Sequence, residues 1–521
     1  MPAAAPIEVP FIIAGMSFVI SVIMTPVVRK LAFATGLVDA PDGHRKLHGR
    51  AVALGGGLAV FIAMGVSLVT CGIVGSQWID LGNADRSFLA AIAGSSLFLV
   101  IVGLLDDRFE IRGRQKLLAQ VAAVFCVTVL GGLQIDRIEL FGYQIEMGVA
   151  AIPFTMFWLL GAINALNLID GVDGLATTIG VVFSVALSIL ATMNNFVVDG
   201  VCALAMAGAL AGFLIYNLPP AKIFLGDAGS MLIGLVLGVL AIRCSLKGPA
   251  TVALAAPTAI WAVLIFDVGM AILRRKLTGR SLYTTDRGHL HHALQKHGFS
   301  GLGIVFVVGL MCVICCAGAL VSVYSKNEMV ALITVAVVLG ALVATRYFGH
   351  SECRLLAQKV FGMTASFIRL PNRPKRASMP MKSRFHGKRE WDLLWEALLE
   401  MAERFDLSSV RLNVSAPSIG EEYHATWERK HPPHASRVWS SEVPLFAGKI
   451  SVGRLCVSGA ATTISGFGYL SEFLDALRPF EVQLHDLLQV EYVDAQKSSG
   501  DIDVVLEGTG TARMSPLSSA R

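Results

Sequence analysis

The chain has 521 residues, of which 54% are hydrophobic and 16% charged, with a mean hydropathy of +0.64 and a formal net charge of +5. A soluble domain is about a quarter charged, so this composition excludes an ordinary soluble enzyme and requires lipid as a second solvent. The small positive balance excludes a nucleic-acid binder, because the Lys and Arg residues gather in short loops between apolar runs.

Eleven apolar runs approach the ~20 residues a helix needs to cross a bilayer. In chain order they cover about residues 11–33, 52–74, 86–105, 116–133, 148–166, 173–193, 200–217, 228–245, 251–273, 302–323 and 328–347. Each must be a helix, since a lone strand leaves its backbone unpaired in hydrocarbon. The first positive charge, Arg29, follows the first run, so the basic opening of a cleavable signal peptide is missing and this helix is expected to stay in the membrane. Counted from the first helix, the odd-numbered loops carry sixteen Lys and Arg residues and the even-numbered loops five (Arg86, Arg137, Arg243, Lys247, Lys326). The positive-inside rule then puts the odd loops and the C-terminus in the cytoplasm and the N-terminus outside.

Acidic and histidine side chains cluster at the cytoplasmic mouths of these helices. The first loop holds Asp39 and then Arg45, Lys46 and His48 ahead of Gly55-Gly56-Gly57. Its basic residues suit a lipid phosphate, or are simply the positive side of the membrane. The adjacent pair Asp106-Asp107 ends the third run, with Lys116 beyond it. Neighbouring carboxylates repel unless a cation or a proton lies between them, so they suit a divalent metal, a general base or a solvated helix end. In Asn164-Ala-Leu-Asn167-Leu-Ile-Asp170-Gly-Val-Asp173-Gly, four polar side chains recur at a spacing of three, on one helical face. They suit Mg²⁺, substrate hydroxyls or a nucleobase. Asp227, in Phe224-Leu-Gly-Asp227-Ala-Gly-Ser230, is a helix-cap candidate, and this Gly-rich approach could offer backbone N–H groups to a phosphate. Asp286-Arg287-Gly-His289-Leu-His291-His292 suits a pyrophosphate, with zinc as the alternative. Asp267 is the exception, an acid inside the ninth run, and reads as a partner for another helix.

Composition changes after about residue 350. Residues 351–387 read as a basic linker around Pro371-Asn-Arg-Pro-Lys-Arg. Residues 388–492 read as a small soluble α+β domain. It has a helix over Trp391–Phe405, strands over Val410–Ala416, Tyr423–Glu428 and Val438–Ser458 with turns at Ala447-Gly448 and Gly453, and a second helix over Phe467–Val490. Residues 493–521 are rich in Ser, Gly and Thr and read as disordered. The nine cysteines mostly lie within apolar runs and read as small hydrophobes, Cys312, Cys315 and Cys316 included. The fold class is therefore an all-α polytopic membrane protein of about eleven transmembrane helices in residues 1–350, with a C-terminal α+β domain.

These five motifs, in this order, resemble the polyprenyl-phosphate N-acetylhexosamine-1-phosphate transferases, glycosyltransferase family 4. The resemblance covers about residues 10–300 and reaches about 350 by helix count. The segment from Asp286 to His292 is similar to the N-acetylhexosamine branch more than to the muramoyl-pentapeptide branch. Ala51, Ala53 and Leu54 stand where the family often has prolines and a basic residue, and the domain after about residue 370 lies outside the family pattern. The resemblance implies transfer of GlcNAc-1-phosphate, or a close relative, from a UDP-N-acetylhexosamine to undecaprenyl phosphate in the bacterial inner membrane. UMP leaves, and Mg²⁺ serves as cofactor with Mn²⁺ as a substitute. It makes Asp227 the first metal ligand, with Asp107 and Asp170, and Asp106 the group that deprotonates or orients the lipid phosphate. Asn164, Asn167, Asp170 and Asp173 would hold nucleotide and metal, and Arg287, His289, His291 and His292 would meet the diphosphate or sugar. Asp39, Arg45, Lys46, His48 and Lys116 are assigned to substrate. A homodimer and a cytoplasmic partner for the C-terminal domain are left open. The competing class is a lipid or sugar transporter, which would place its ionisable groups near mid-membrane on broken helices. A third reading is a receptor that senses through its C-terminal domain.

Overall fold

Uninterrupted apolar sequence folds in lipid as helix, and the computed structural model of the chain follows that rule. It describes residues 8–39, 51–74, 83–140, 143–246, 255–278, 288–354, 356–357, 381–386, 391–416, 421–429, 438–447, 450–460, 473, 476–477 and 480. They divide into two units, Met1–Cys353 and Arg354–Arg521.

The first unit contains α1 (Glu8–Thr35), α2 (Gly56–Val74), α3 (Asn83–Phe109), α4 (Gly113–Phe125), α5 (Ala151–Ile169), α6 (Leu175–Met193), α7 (Val197–Asn217) and α8 (Gly226–Leu246). These are followed by α9 (Ala255–Ile260), α10 (Ala262–Thr278), α11 (Leu290–Lys296), α12 (Gly301–Ser325) and α13 (Glu328–Ala344). A π-helical turn at Cys126–Leu130 extends α4. Among the described residues nine helices are long and apolar enough to cross a membrane, where the apolar runs suggest about eleven. The ninth run is divided at the buried Trp261 into α9 and α10, and α13 has 17 residues. The break is slight, because Trp261 N donates to Pro257 O at 3.0 Å and Ile265 N to Trp261 O at 2.9 Å. Two short antiparallel pairs were not expected from hydropathy. One joins β1 (Val38–Asp39) to β2 (Val52–Ala53), and the other joins β3 (Arg137–Leu140) to β4 (Tyr143–Glu146).

Helix α8 is the axis of the unit. Its spanning window is 94% buried, and it packs against α2, α3, α5 and α6. A helix that is apolar all round belongs in such a place. Lipid gives no hydrophobic drive for helix association, so close approach of small residues must supply it. A Cβ on Gly57 would lie 2.2 Å from the backbone N of Gly229, and one on Gly103 would lie 2.3 Å from Ala228 Cα. The absent side chains let α2 and α3 press onto the first turn of α8. Peripheral α1 instead exposes Phe11, Ile12, Val19, Ile23 and Leu31, as a lipid-facing helix should. The chain is a multi-pass membrane protein.

The second unit is built on a five-stranded antiparallel sheet of order β5-β7-β6-β9-β8. Its strands are β5 (Met381–His386), β6 (Leu407–Ala416), β7 (Glu421–Glu428), β8 (Val438–Ala447) and β9 (Ile450–Ala460), and its helix is α14 (Trp391–Arg404). Trp391, Leu394, Trp395, Leu398 and Ala402 form the buried stripe of α14 and share a core with Val410, Leu412, Tyr423, Leu455 and Phe473. Two expectations are corrected here. Met381–His386, within the stretch read as linker, pairs with β7. Gly453 is not a turn, because it lies inside β9 opposite Val414, beside a register shift at Leu445/Phe446. A lone strand glycine marks a bulge or close backbone approach as readily as a turn, and a Cβ here would lie 2.2 Å from Asn413 O. Of the expected helix at 467–490, Phe473, Ala476 and Phe480 are helical, and the rest lies outside the described residues, as does the tail from 493.

Candidate active site

Three glycines and one lysine decide how the acidic motifs meet. At the end of α3, Asp107 Oδ1 accepts a hydrogen bond from Asp227 N at 3.0 Å. This contact requires Gly226, which has φ +73° and whose missing Cβ would lie 2.4 Å from Asp107 Oδ2. The Gly57 and Gly103 contacts described above bring the ends of α2 and α3 to the same turn of α8. The Gly-rich approach to Asp227 therefore serves close helix contact. The amide of Asp227, in the first turn of α8, is given to Asp107.

Lys116 opens α4 and points into the acidic pair. Its Nζ lies 2.9 Å from Asp106 Oδ2 and 2.5 Å from Asp227 Oδ2, and 3.4 Å from Asn167 Oδ1. Asn167 Nδ2 donates to Asp227 Oδ1 at 2.6 Å and to Ser230 Oγ at 2.9 Å. Asp106 Oδ1 also accepts from Ile111 N at 3.0 Å. The cation between these carboxylates is thus an ammonium, donated from the next helix. One spacing down α4, Gln120 Oε1 accepts from Asn164 Nδ2 at 2.9 Å. Asn164 is in this way tied to α4 and to Leu160 O of its own helix.

Asp170 ends α5. Burial, and then the carboxylates of Asp227, Asp107 and Asp173, push its carboxyl well above the ordinary range. Asp173 Oδ2 accepts from Ala221 N at 2.9 Å, tying the α5–α6 turn to the α7–α8 connection. Asp39 lies on β1 opposite Val52. The neighbouring strand residue Ala53 bridges in parallel to Ile223, just ahead of Asp227, which carries the first loop towards the same helix end. Arg45, Lys46, His48 and Arg287 lie outside the described residues.

The histidines approach from α11. His291 is buried against the α5–α6 turn, where a Cβ on Gly171 would lie 2.5 Å from its Nε2. Its ring lies 4.2 Å from that of His292 and 6.2 Å from that of His289, centroid to centroid. Burial, then the neighbouring His292 and His289, push His291 down to about 3, so it is neutral near pH 7. His289 Nδ1 lies 2.9 Å from Asp267 Oδ2, and Leu290 N donates to Asp267 Oδ1 at 2.7 Å. Asp267 is the residue that sequence reasoning left out of the site. The signal was present, since an ionisable residue within an apolar run is functional by default. Ser230 and Gln120 were also missed, although Ser230 closes the Asp227 motif and Gln120 follows Lys116 by one helical turn.

Among the described residues no three His, Cys, Asp or Glu side chains are grouped as a ready metal site, and this includes the three histidines suggested for zinc. Mg²⁺ makes a smaller demand, since it takes one or two carboxylates and completes its shell with water and substrate phosphates. Asp107 Oδ2 is buried with no hydrogen-bond partner among the described residues, beside Asp227. Hard carboxylate oxygens in negative surplus fit such an ion. Arranged in this way, the site can neutralise and align two anionic phosphates at one end of the bundle. A transporter would put its charges at mid-membrane.

Comparison with known proteins agrees with this chemistry. The profile of glycosyl transferase family 4 matches residues 89–245. The chain is 32% identical over 302 residues to a probable undecaprenyl-phosphate N-acetylglucosaminyl 1-phosphate transferase of Bacillus subtilis (strain 168), covering 57% of this chain and 81% of the relative. It is 30% identical over 356 residues to decaprenyl-phosphate N-acetylglucosaminephosphotransferase of Mycobacterium tuberculosis (strain ATCC 25618 / H37Rv), covering 62% and 84%. It is 32% identical over 280 residues to undecaprenyl-phosphate alpha-N-acetylglucosaminyl 1-phosphate transferase of Escherichia coli (strain K12), covering 52% and 72%.

Proposed function

The chain belongs to glycosyl transferase family 4, and on that premise we propose that it transfers N-acetylhexosamine-1-phosphate, in the form of GlcNAc-1-phosphate, from a UDP-sugar to undecaprenyl phosphate with release of UMP. Such a product starts a cell-envelope polysaccharide. The observation that carries this reading is the junction of α3, α4, α5 and α8, where Lys116 bridges Asp106 and Asp227 beside Asp107 and Asn167.

Both reactants are anions, so charge neutralisation and alignment are the main tasks. An oxygen of the lipid phosphate attacks the β-phosphorus of the UDP-sugar. The new P–O bond forms as the bond to the bridging oxygen breaks, and that oxygen leaves with the electron pair on UMP. Asp106 orients the acceptor phosphate and takes its proton where it carries one. Lys116 holds Asp106 and Asp227 together and offers positive charge to the phosphates. Asp107, Asp227 and Asp170 would hold Mg²⁺, or Mn²⁺ in its place. When bound, the cation draws negative charge from the diphosphate oxygens. Asn164, Asn167 and Asp173 would hold the nucleotide side, and His289, His291 and His292, with Arg287 of the same motif, would meet the diphosphate and sugar. Direct attack ranks above a covalent aspartyl intermediate, and a phosphorylated enzyme trapped with donor alone would reverse that order. The site faces the cytoplasm of a bacterial inner membrane, with the N-terminus outside. The second unit acts in regulation or in docking a cytoplasmic partner.

The test is purified full-length protein with undecaprenyl phosphate, Mg²⁺ and a panel of UDP-sugars, scored by UMP release. UDP-GlcNAc should support release, and Asp227→Asn should abolish it while the protein stays folded. Near-normal turnover in that variant would overturn the metal assignment, and flux across proteoliposomes without donor would favour a transporter. Removal of residues after about 370 should change activity or localisation, and no change in either would remove the regulatory role.

A further inference from the structure

We propose that Arg274 and Glu352 are a positioning pair that seats the histidine segment of the active site. The proposal rests on the transferase reading above. Arg274 and Glu352 are 4% and 3% exposed, and their Nη1 and Oε1 atoms lie 2.5 Å apart. Arg274 follows Asp267 by seven residues on α10, two turns along the same face. Its guanidinium fills the space beside Gly288 that a side chain there would need. A Cβ on Gly288 would come within 2.2 Å of Arg274 Cζ and Nη2 and 2.4 Å of Nη1.

Gly288 immediately precedes His289, whose ring and following amide are held by Asp267. Helix α10 therefore grips residues 288–290 at two levels. Asp267 fixes the ring and the backbone of the first α11 turn, and Arg274 supports the residue before it. Glu352 fixes the guanidinium from behind and is the penultimate residue of the first unit. A buried ion pair adds little to stability relative to apolar replacements, so this one calls for another role. The planar face of arginine explains why a glycine must stand at 288, and a lysine could pair with Glu352 without forming that surface. Through Gly288, both residues act on the segment that carries the histidines.

Arg274→Lys, Glu352→Gln and Gly288→Ala, each in the full-length protein, separate positioning from general support. Arg274→Lys and Gly288→Ala should lower kcat about 10- to 100-fold, the usual effect of disturbing a group that orients a functional side chain. The affinity for UMP should stay within about twofold, since the nucleotide side is untouched. Arg274→Lys keeps the buried charge and should leave the melting temperature unchanged, whereas Glu352→Gln and Gly288→Ala, which remove the anion or crowd the guanidinium, should lower it. Carbethoxylation of His291 by diethyl pyrocarbonate, followed by peptide mapping, should accelerate in the variants, because the parent buries that ring. Glu352→Gln keeps a hydrogen-bond partner and should fall between parent and Arg274→Lys. Unchanged kcat with unchanged His291 protection would overturn the proposal. So would a parallel fall of kcat, UMP affinity and melting temperature in Arg274→Lys, which would make the pair structural. If the parent releases no UMP from any donor, the transferase reading fails, and the His291 protection arm still decides the positioning role.

Discussion

Replacing Lys116 by Gln removes the ammonium that lies 2.9 Å from Asp106 and 2.5 Å from Asp227. The three side chains are 16%, 10% and 31% exposed, so solvent screens the pair with Asp227 more than the pair with Asp106. At an effective dielectric near 20, unit charges 3 Å apart attract by about 5–6 kcal/mol before desolvation is counted. Removing one member of a largely buried pair costs about 3–5 kcal/mol, and proton uptake or a bound dication relieves part of it. Loss of one positioned positive group at a reacting phosphate should lower kcat by about 10²–10³-fold. The assay is UMP release at saturating donor, paired with a Mg²⁺ titration. Because the variant leaves the carboxylates more negative, half-saturation should come at the same or lower Mg²⁺ concentration even as kcat falls. A kcat within about threefold of the parent, or a clear rise in the Mg²⁺ required, would refute the bridging role.

Metal binding should depend on pH through Asp170. Its raised pKa means that it holds a proton in the metal-free protein below that value, and a divalent cation must displace it. Affinity measured by Mn²⁺ or Mg²⁺ titration should therefore rise with pH, with proton release on binding, and Asp170→Asn should flatten the dependence. Asp267→Asn should lower kcat about 10- to 100-fold by releasing the His289 ring from its partner. A normal kcat there would detach Asp267 from the site. Gly103→Ala should destabilise the protein by about 1–3 kcal/mol, because the new methyl meets Ala228 backbone at 2.3 Å. Thermal unfolding in detergent measures this, and an unchanged melting temperature would contradict the helix contact.

Run length and charge bias make the helices and their shared end legible in the sequence, since both follow from the cost of exposing backbone and charge to hydrocarbon. Asp106, Lys116, Asn167 and Asp227 were each legible as motif residues for the same reason, being polar groups at the ends of apolar runs. Their bonding was not. Lys116 was legible as a group that neutralises one acid or meets a phosphate, and the fold sets it between two carboxylates, because α4 opens beside the end of α3 and the start of α8. The approach to Asp227 through Gly226 was open to a phosphate reading, and the fold uses Gly226, with Gly57 and Gly103, to bring three helix ends within contact. Asp267 read as a partner for another helix, and the return of α11 supplies that helix, with His289 and the Leu290 amide set against it. In the second unit β5 was hidden in a basic stretch, because strand pairing with β7 is a non-local event that no local pattern encodes. Local chemistry names the residues that cannot stay in lipid. Which of them touch is settled when helices distant in sequence approach closely enough for a missing Cβ to matter.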